Sequence, residues 1–574
     1  MRSQLKRTIN AASLVALLVG LLMAAGEICQ AQVTGLYSFT GGNDGGRIAA
    51  GLHQASDGNL YGVARLGGAN NCGTIFKFDL TGNFTLLHTF SGSSDGANPY
   101  TDLIQASDGV LYGTCFNGGA YGSGTIYKID LTGNFTLVYT FTGGSDGAIP
   151  DASLIQANDG NLYGVARFGG SYSDGTIFKI DLTGNLSVLY SFTGGSDGAQ
   201  PYGGLLQASD GNLYGSTRVG GAYGDGTIFR IVLAGNFTLL YTFTGGSDGA
   251  QPYASLMQAS DGDLYGDCIT GGNYGWGTIY KIDLAGNFTS LYSFTGGSDA
   301  GHPYERLMQA SDGNLYGTSH GSSPPSYGTI FKIDLAGNFT TVYAFTNGSD
   351  GDYPGAGLIE ATDGNLYGTT DGGPGNGTIY RYALPALSSL KPGQVKAYST
   401  NVKLTLSGAN FSSASAVYFG AAALTTTFVS GSQLTATIPA NLLTTPGVVA
   451  VTVVQVGAVS NALGFTILPA PHLAASVDRL SRDASNNIVV PITVTNNGSA
   501  TALNVQIKSP ATLNNVGTST TLPLSLGSLA VGSSQITTLV FPGSAGTTGS
   551  SVLLKVTISY QGGNLTLKQK VLLP

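Results

Sequence analysis

The chain has 574 residues, more than one ordinary domain holds and enough for two to four. Its 88 glycines point to many tight turns rather than long helices, and 30 Tyr with 24 Phe exclude a disordered glycine-rich tail. Only 10% of residues are charged, the net charge is -8, and Lys and Arg are scattered, which excludes a nucleic-acid partner that needs a clustered cationic surface.

In chain order, Arg2, Lys6 and Arg7 precede an apolar stretch, residues 11–25, too short for a comfortable membrane span. Small residues follow, and a cleavage site is expected at Cys29-Gln30-Ala31. Residues 1–31 therefore read as a signal peptide, and the mature protein as secreted, periplasmic or on the cell surface. The bulky Ile28 and charged Glu27 argue against a lipoprotein reading of Cys29. No transmembrane segment is expected in the mature chain. Cys72, Cys115 and Cys268 remain, an odd number that is not a disulfide framework. Cys115 and Cys268 hold equivalent repeat positions and read as small apolar fillers.

A phrase close to "SDGNLYG" then recurs seven times. Its aspartates are Asp57, Asp108, Asp159, Asp210, Asp261, Asp312 and Asp363, each 51 residues after the last. A fixed pitch of this size marks a repeat architecture, and four-stranded propeller blades fall near it. Each unit carries four strand-like runs. In the fourth unit they are "GGLLQA" (203–208), "NLYGST" (212–217), "GTIFRIV" (226–232) and "NFTLLYTF" (236–243). Asp-Gly between the first two predicts a two-residue hairpin with both central residues at positive φ. Short links also join the third and fourth runs.

The longest link, "TGGSDGAQPY", must cross a whole sheet, so one blade ends there. The last unit lacks a fourth run after residues 377–384, while "TGLYSFT" (34–40) is spare at the start. This strand is expected to complete the last blade. The prediction is an all-β chain: a closed seven-bladed β-propeller over 32–384, with the tight turns on one face and the long links on the other. The recurring "DGNLYGTT…GG…GTIFKID…GNFT" pattern resembles the GloVer tandem-repeat family of exported bacterial proteins, named for Gloeobacter and Verrucomicrobia. The resemblance covers roughly residues 33–384. It implies a surface or extracellular location and brings no established activity.

After Tyr382 the pitch ends. Runs at 402–411, 416–424, 433–440 and 448–455 alternate as strands of a small β-sandwich. Pro392, the Gly-x-x-Phe at Gly408 to Phe411, and Pro439 give residues 385–467 a resemblance to the IPT/TIG domain, an immunoglobulin-like fold. Residues 468–574, with "IVVPITVTNNGSATALNVQI", read as a second immunoglobulin-like β-sandwich.

Chemistry is sparse. "GGSDG" at 143–147, 194–198 and 245–249 matches a serine-hydrolase string but lies in all-β links without a strand–turn–helix elbow. The five histidines have no metal-ligand spacing, and Asp44, Asp95, Asp146, Asp197, Asp248, Asp299 and Asp350 read as turn caps. No metal, cofactor or catalytic residue is predicted. The functional lead is variation within a constant frame. Eight residues after each opening Asp stand Arg65, Phe116, Arg167, Arg218, Ile269, His320 and Asp371. Arg65, Arg167, Arg218, His320 and Asp371 are candidate ligand-binding residues on the long-loop face, with Tyr274 and Trp276 of the "GGNYGWG" loop. Three readings stay open: binding of an extracellular glycan or surface protein, with an adhesive or structural role; a polysaccharide hydrolase or lyase with its site at the centre of that face; or a passive structural repeat with no ligand.

Overall fold

The computed structural model describes residues 33–321, 326–373, 375–455 and 458–574. The expected signal peptide lies outside the described residues. Among them there is no α-helix, and no helix is long and apolar enough to cross a membrane. The chain is all-β. Contacts divide it into two compact units that part between Leu384 and Pro385.

The first unit is seven antiparallel sheets, one per repeat. In the fourth, the strands are Leu206–Gln207, Leu213–Thr217, Thr227–Ile231 and Phe237–Thr242, paired in that order. The first strand is only two residues long, shorter than the run predicted for it. The second is buried along its whole length and the third at all but one residue. Runs without polar alternation, such as "NLYGST", suit a strand covered on both faces. The second and fifth sheets gain a short extra strand, Ala97–Pro99 and Ala250–Pro252.

The first hairpin differs from the expectation. Ala208 N donates to Asn212 O and Gly211 N to Ala208 O, so three residues, Ser209, Asp210 and Gly211, span the turn. Only Gly211 has positive φ, +82°. The turn is type I closed by a left-handed glycine, not a two-residue turn with two positive φ values. A Cβ on Gly211 would meet nothing within 4 Å, so conformation rather than space demands glycine. Asp210 caps this turn: Oδ1 accepts from Asn212 N (3.0 Å), and Oδ2 from Asn212 Nδ2 (2.7 Å) and Tyr214 OH (2.8 Å).

Consecutive sheets are tied at the same end. Gln258 Oε1 accepts from Ser209 N of the preceding hairpin, at 2.8 Å, and its Nε2 donates to Ser209 Oγ and to Gly262 O. The same backbone bond joins Ser56 to Gln105, Ser107 to Gln156, Asn158 to Gln207, Ser260 to Gln309 and Ser311 to Glu360. The seventh runs from Thr362 N to Gln54 of the first repeat (2.9 Å), so the series returns to its start. Strand Val33–Ser38 pairs antiparallel with Thr378–Tyr382 of the last repeat. Its Tyr37 stacks on Phe84 at 4.5 Å, and Phe39 is buried with Phe76.

The aspartates of the long links are turn caps. Asp197 accepts from Thr193 N (2.9 Å), Thr193 Oγ1 (2.5 Å) and Tyr190 OH (2.9 Å). His88 replaces the tyrosine in one repeat, reaching Asp95 at 3.2 Å and stacking on Phe135. Cys115 and Cys268 are buried and free, and Cys72 is half-buried and free.

The second compact unit has two pairs of sheets. Ala386–Lys391, Val402–Ala409, Gln433–Ile438 and Thr425–Ser430 form one sheet; Gln394–Lys396, Leu463–Leu468, Gly447–Gln455 and Ala416–Phe419 belong to the next. Their inward residues, among them Leu404, Leu434, Val451 and Phe465, make one apolar cluster. Beyond them, Ile488–Asn496 alternates buried and half-buried residues along its whole length, the period-2 signature of a strand with one core face. It and its sheet share a cluster with the sheet of Ala502–Leu513 and Ser551–Tyr560.

Candidate functional site

The long links end in a segment that recurs at the repeat pitch: Pro99-Tyr100, Pro150-Asp151, Pro201-Tyr202, Pro252-Tyr253, Pro303-Tyr304, Pro354-Gly355, with Ile48-Ala49 in the first repeat. The residue just before each holds a left-handed backbone: Arg47, Asn98, Ile149, Gln200, Gln251, His302 and Tyr353 have φ between 52° and 58°. Such a conformation costs about 1–3 kcal/mol, most for a β-branched residue such as Ile149, and persists only where surroundings impose it. They do so from both sides. Gln251 N donates to Asp225 O of the preceding repeat, and Gln200 O accepts from Arg218 N. The proline that follows packs tightly, since a Cβ on Gly226 would lie 2.7 Å from Pro252 Cδ.

These segments converge. Ala49, Tyr100, Asp151, Tyr202, Tyr253 and Tyr304, with the two residues after most of them, line a cavity of about 70 Å³ to which six of the seven repeats contribute. The rings of Tyr202 and Tyr253 lie 3.7 Å apart at 34°, and Tyr304 meets Tyr253 edge-on at 5.4 Å. The varied positions named from the sequence pack on these rings. Arg65 lies 5.2 Å over Tyr100, Arg167 5.0 Å over Tyr202 and Arg218 5.9 Å over Tyr253. His320 touches Tyr304 edge-on at 5.2 Å and stacks on Tyr353 at 4.9 Å. Each side chain reaches from one repeat to the link of the next, which orients both.

The acids are the unusual part. Asp151 takes a tyrosine's place, with a side chain only 1% exposed. Its Oδ2 is 3.5 Å from Arg167 Nη1, and neither oxygen has a hydrogen-bond partner. Burial pushes the carboxyl up to about 7, against the pull of Arg167. Glu305 also lines the cavity, and burial, then the charges of Asp102 and Asp267, raise it well above the usual range. Asp267 is 1% exposed, both oxygens are unpaired, and burial raises its carboxyl strongly. Three of the other repeats have threonine at its position, and Thr114 and Thr318 donate to the carbonyls of Pro150 and Ala356 in the following segment. A protonated Asp267 can donate in the same direction.

The remaining candidates lie apart from the cavity. Asp371 pairs with Arg47 at 3.2 Å. Trp276 is half-buried, edge-on to His302 at 5.0 Å and covering Gly296 and Gly301. Tyr274 stands exposed on its loop. The lining tyrosines, Asp151, Glu305 and Asp267 were missed from the sequence, although Pro-Tyr at a 51-residue pitch, broken once by Pro-Asp, was there to be read. Among the described residues, no group of three or more His, Cys, Asp or Glu is placed to hold a metal ion.

The model of the Gloeobacter/Verrucomicrobia repeat matches residues 24–158 and 152–382. The chain belongs to this repeat family. An IPT/TIG domain model matches residues 385–467. No curated protein matches the chain. Among solved structures, an auxiliary nutrient binding protein from Bacteroides thetaiotaomicron VPI-5482 is similar at 11% identity and a TM-score of 0.36, over 61% of this chain and 75% of that one. The Bacteroides ovatus xyloglucan PUL GH43B is similar at 12% and 0.27, over 89% and 95%. An endo-1,4-beta-xylanase from B. thetaiotaomicron is similar at 11% and 0.27, over 53% and 96%. Likeness this distant carries neither activity nor substrate to this member of the repeat family.

Proposed function

We propose that residues 32–384 form a closed seven-bladed β-propeller carried by an exported protein, and that 385–467 and 468–574 are immunoglobulin-like sandwiches acting as spacers. Support for closure comes from the hydrogen-bond series that returns to Gln54, from the pairing of strand Val33–Ser38 with the last repeat, and from the cavity that six repeats line. The cavity then sits on the axis, at the face of the long links.

The function proposed for that face is carbohydrate binding. The observation that carries it is the set of four tyrosine rings at the cavity, three of them backed by a guanidinium from the preceding repeat and Tyr304 by His320. Tyrosine offers an apolar face and a polar edge on a stiff side chain, which suits a ligand with apolar C–H faces and many hydroxyls. A volume of about 70 Å³ is far below the ~300–1,000 Å³ of a pocket that engulfs a small molecule. The ligand therefore rests on the mouth and inserts one end. Asp151, near neutrality in charge, serves as donor or acceptor there.

A second reading, a polysaccharide hydrolase or lyase, draws on Asp151 and Glu305, because an acid held protonated near pH 7 is what general-acid catalysis needs. A glycan array probed with the chain from residue 32 onward separates the readings. Binding that falls about ten-fold or more in Tyr253→Ala, with no release of reducing ends, supports recognition. Turnover abolished by Asp151→Asn establishes the enzyme instead, and no binding to any glycan by the folded chain rejects both.

A further inference from the structure

Four tyrosines are displayed where nothing in the fold uses them. Tyr121, Tyr172, Tyr223 and Tyr274 hold one position in the second to fifth repeats, and their exposures are 64, 60, 66 and 62%. Single exposed aromatics are ordinary, but four alike in succession form a patterned surface. Among the described residues none of the four hydroxyls has a hydrogen-bond partner.

The backbone beneath them is pinned. Each tyrosine is the third residue of a turn closed by Gly122 N to Gly119 O, Ser173 N to Gly170 O, Gly224 N to Gly221 O or Gly275 N to Gly272 O. Bridges Gly118↔Ser123, Gly169↔Asp174, Gly220↔Asp225 and Gly271↔Trp276 close the base of each loop. The last residue of each bridge accepts a backbone bond from the next long link, as in Ile149 N to Ser123 O and Gln200 N to Asp174 O. The tyrosines therefore share the face of the Pro-Tyr segments. Around them the loop drifts: Ala120, Ser171, Ala222 and Asn273 precede the tyrosine, and Ser123, Asp174, Asp225 and Trp276 follow two later. The first repeat has Asn70 instead, turned inward with its Nδ2 on Phe90 O, and the loop of the seventh has no tyrosine.

We propose that this arc is a platform for a linear, neutral polysaccharide lying across the second to fifth repeats. The inference rests on the carbohydrate reading and adds a second contact surface to it. One ring per repeat matches a ligand that itself repeats, which a folded protein surface does not. A pinned turn and a two-torsion side chain keep the ordering cost of each contact low. Asp174 and Asp225 in the loops, on a chain of net charge -8, disfavour an acidic polymer. Four weak contacts on one chain multiply through effective concentration, so the polymer gains what a short oligosaccharide cannot.

Native gels cast with mixed-linkage β-glucan, xyloglucan, arabinoxylan or polygalacturonate test this on the chain from residue 32, with hexasaccharides of the neutral polymers titrated in parallel. The fourfold variant Y121A/Y172A/Y223A/Y274A is expected to lose about 100-fold affinity for a neutral polymer that retards the parent. Each single variant should lose about three- to ten-fold, and the hexasaccharide affinity should stay within about two-fold. Equal melting temperatures show that the exposed changes leave the fold intact. Retardation of the fourfold variant equal to the parent's overturns the inference, as does retardation by polygalacturonate alone. If the fourfold variant is unaffected while Tyr253→Ala loses the hexasaccharide, the arc falls and the carbohydrate reading stands. If the parent binds neither polymer nor hexasaccharide, both fall.

Discussion

Asp57 and Asp151 are the same side chain at opposite ends of equivalent repeats, and their environments push them apart. At the hairpin end, burial would raise Asp57, but bonds from Asn59, Lys77 and Tyr61 outweigh it and hold the carboxyl at about 2. At the link end, burial outweighs the pull of Arg167, Tyr202 and Arg65 on Asp151, and its carboxyl sits at about 7. The hairpin ends are built on one plan in all seven repeats, each with its turn aspartate accepting from the repeat tyrosine. The link ends differ from repeat to repeat and leave the carboxylates of Asp151 and Asp267 and the Nε of Arg167 and Arg218 short of well-formed hydrogen bonds. Stability is concentrated where the repeats agree, and unspent hydrogen-bonding capacity where they diverge.

The largest test of the hairpin-side architecture is removal of residues 32–40. It strips Leu36, Tyr37 and Phe39 from the packing of first and last repeats, at about 1.5–3 kcal/mol for each large apolar side chain. A melting temperature unchanged by the deletion would reject the proposed closure.

Next in size is Asp267→Thr, which introduces the residue type that the second, sixth and seventh repeats hold there. Removing a buried, unpaired carboxyl should stabilise the chain by about 1–3 kcal/mol. The effect has a sign in pH. The folded carboxyl lies above its unfolded value near 3.8, so its stability is intact below that value and is lost as pH rises toward the folded value. The variant should therefore outstrip the parent more at pH 8 than at pH 5 in denaturant titrations. A constant difference would mean that Asp267 does not hold its proton in the fold.

Gln258→Ala cuts one member of the series between hairpins and is expected to cost roughly 1 kcal/mol in the same titrations. A loss several times larger would show that the series acts cooperatively rather than bond by bond.

The smallest expected effect is on binding. A ligand covering the cavity desolvates Asp151 further and favours its neutral form. Carbohydrate affinity should then fall by roughly three- to ten-fold as pH rises from about 6 to about 9, the fall setting in near 7. Asp151→Asn should flatten the profile, and a profile unchanged in the variant would remove Asp151 from the site.

The hairpin end was legible in the sequence because its causes are local. A pitch, a turn residue and a link length are each visible in a short window, and even the spare strand at 34–40 follows from counting runs. The type of turn was misread, since Asp-Gly was assigned two turn positions when the pairing of Ala208 with Asn212 leaves three residues between them. Arg65, Arg167, Arg218 and His320 stood out because they vary within a constant frame. Their partners did not, because Tyr100, Tyr202 and Tyr253 look like ordinary link residues until six repeats bring them to one place. Asp267 could have been suspected as the one acid in a strand position otherwise held by Val, Thr or Ser.

The hydrogen-bond series between hairpins has one more consequence. Six of its members join residues 49 apart in the chain, and only the bond from Thr362 to Gln54 spans 308. That difference belongs to where the chain begins, not to the bond. With Val33 facing Tyr382 in their antiparallel strand pair, the two ends of the repeat region are neighbours. Joining them and opening the chain at another long link would relabel which bond is distant and leave every local partner in place, so the starting point of the repeat region is interchangeable.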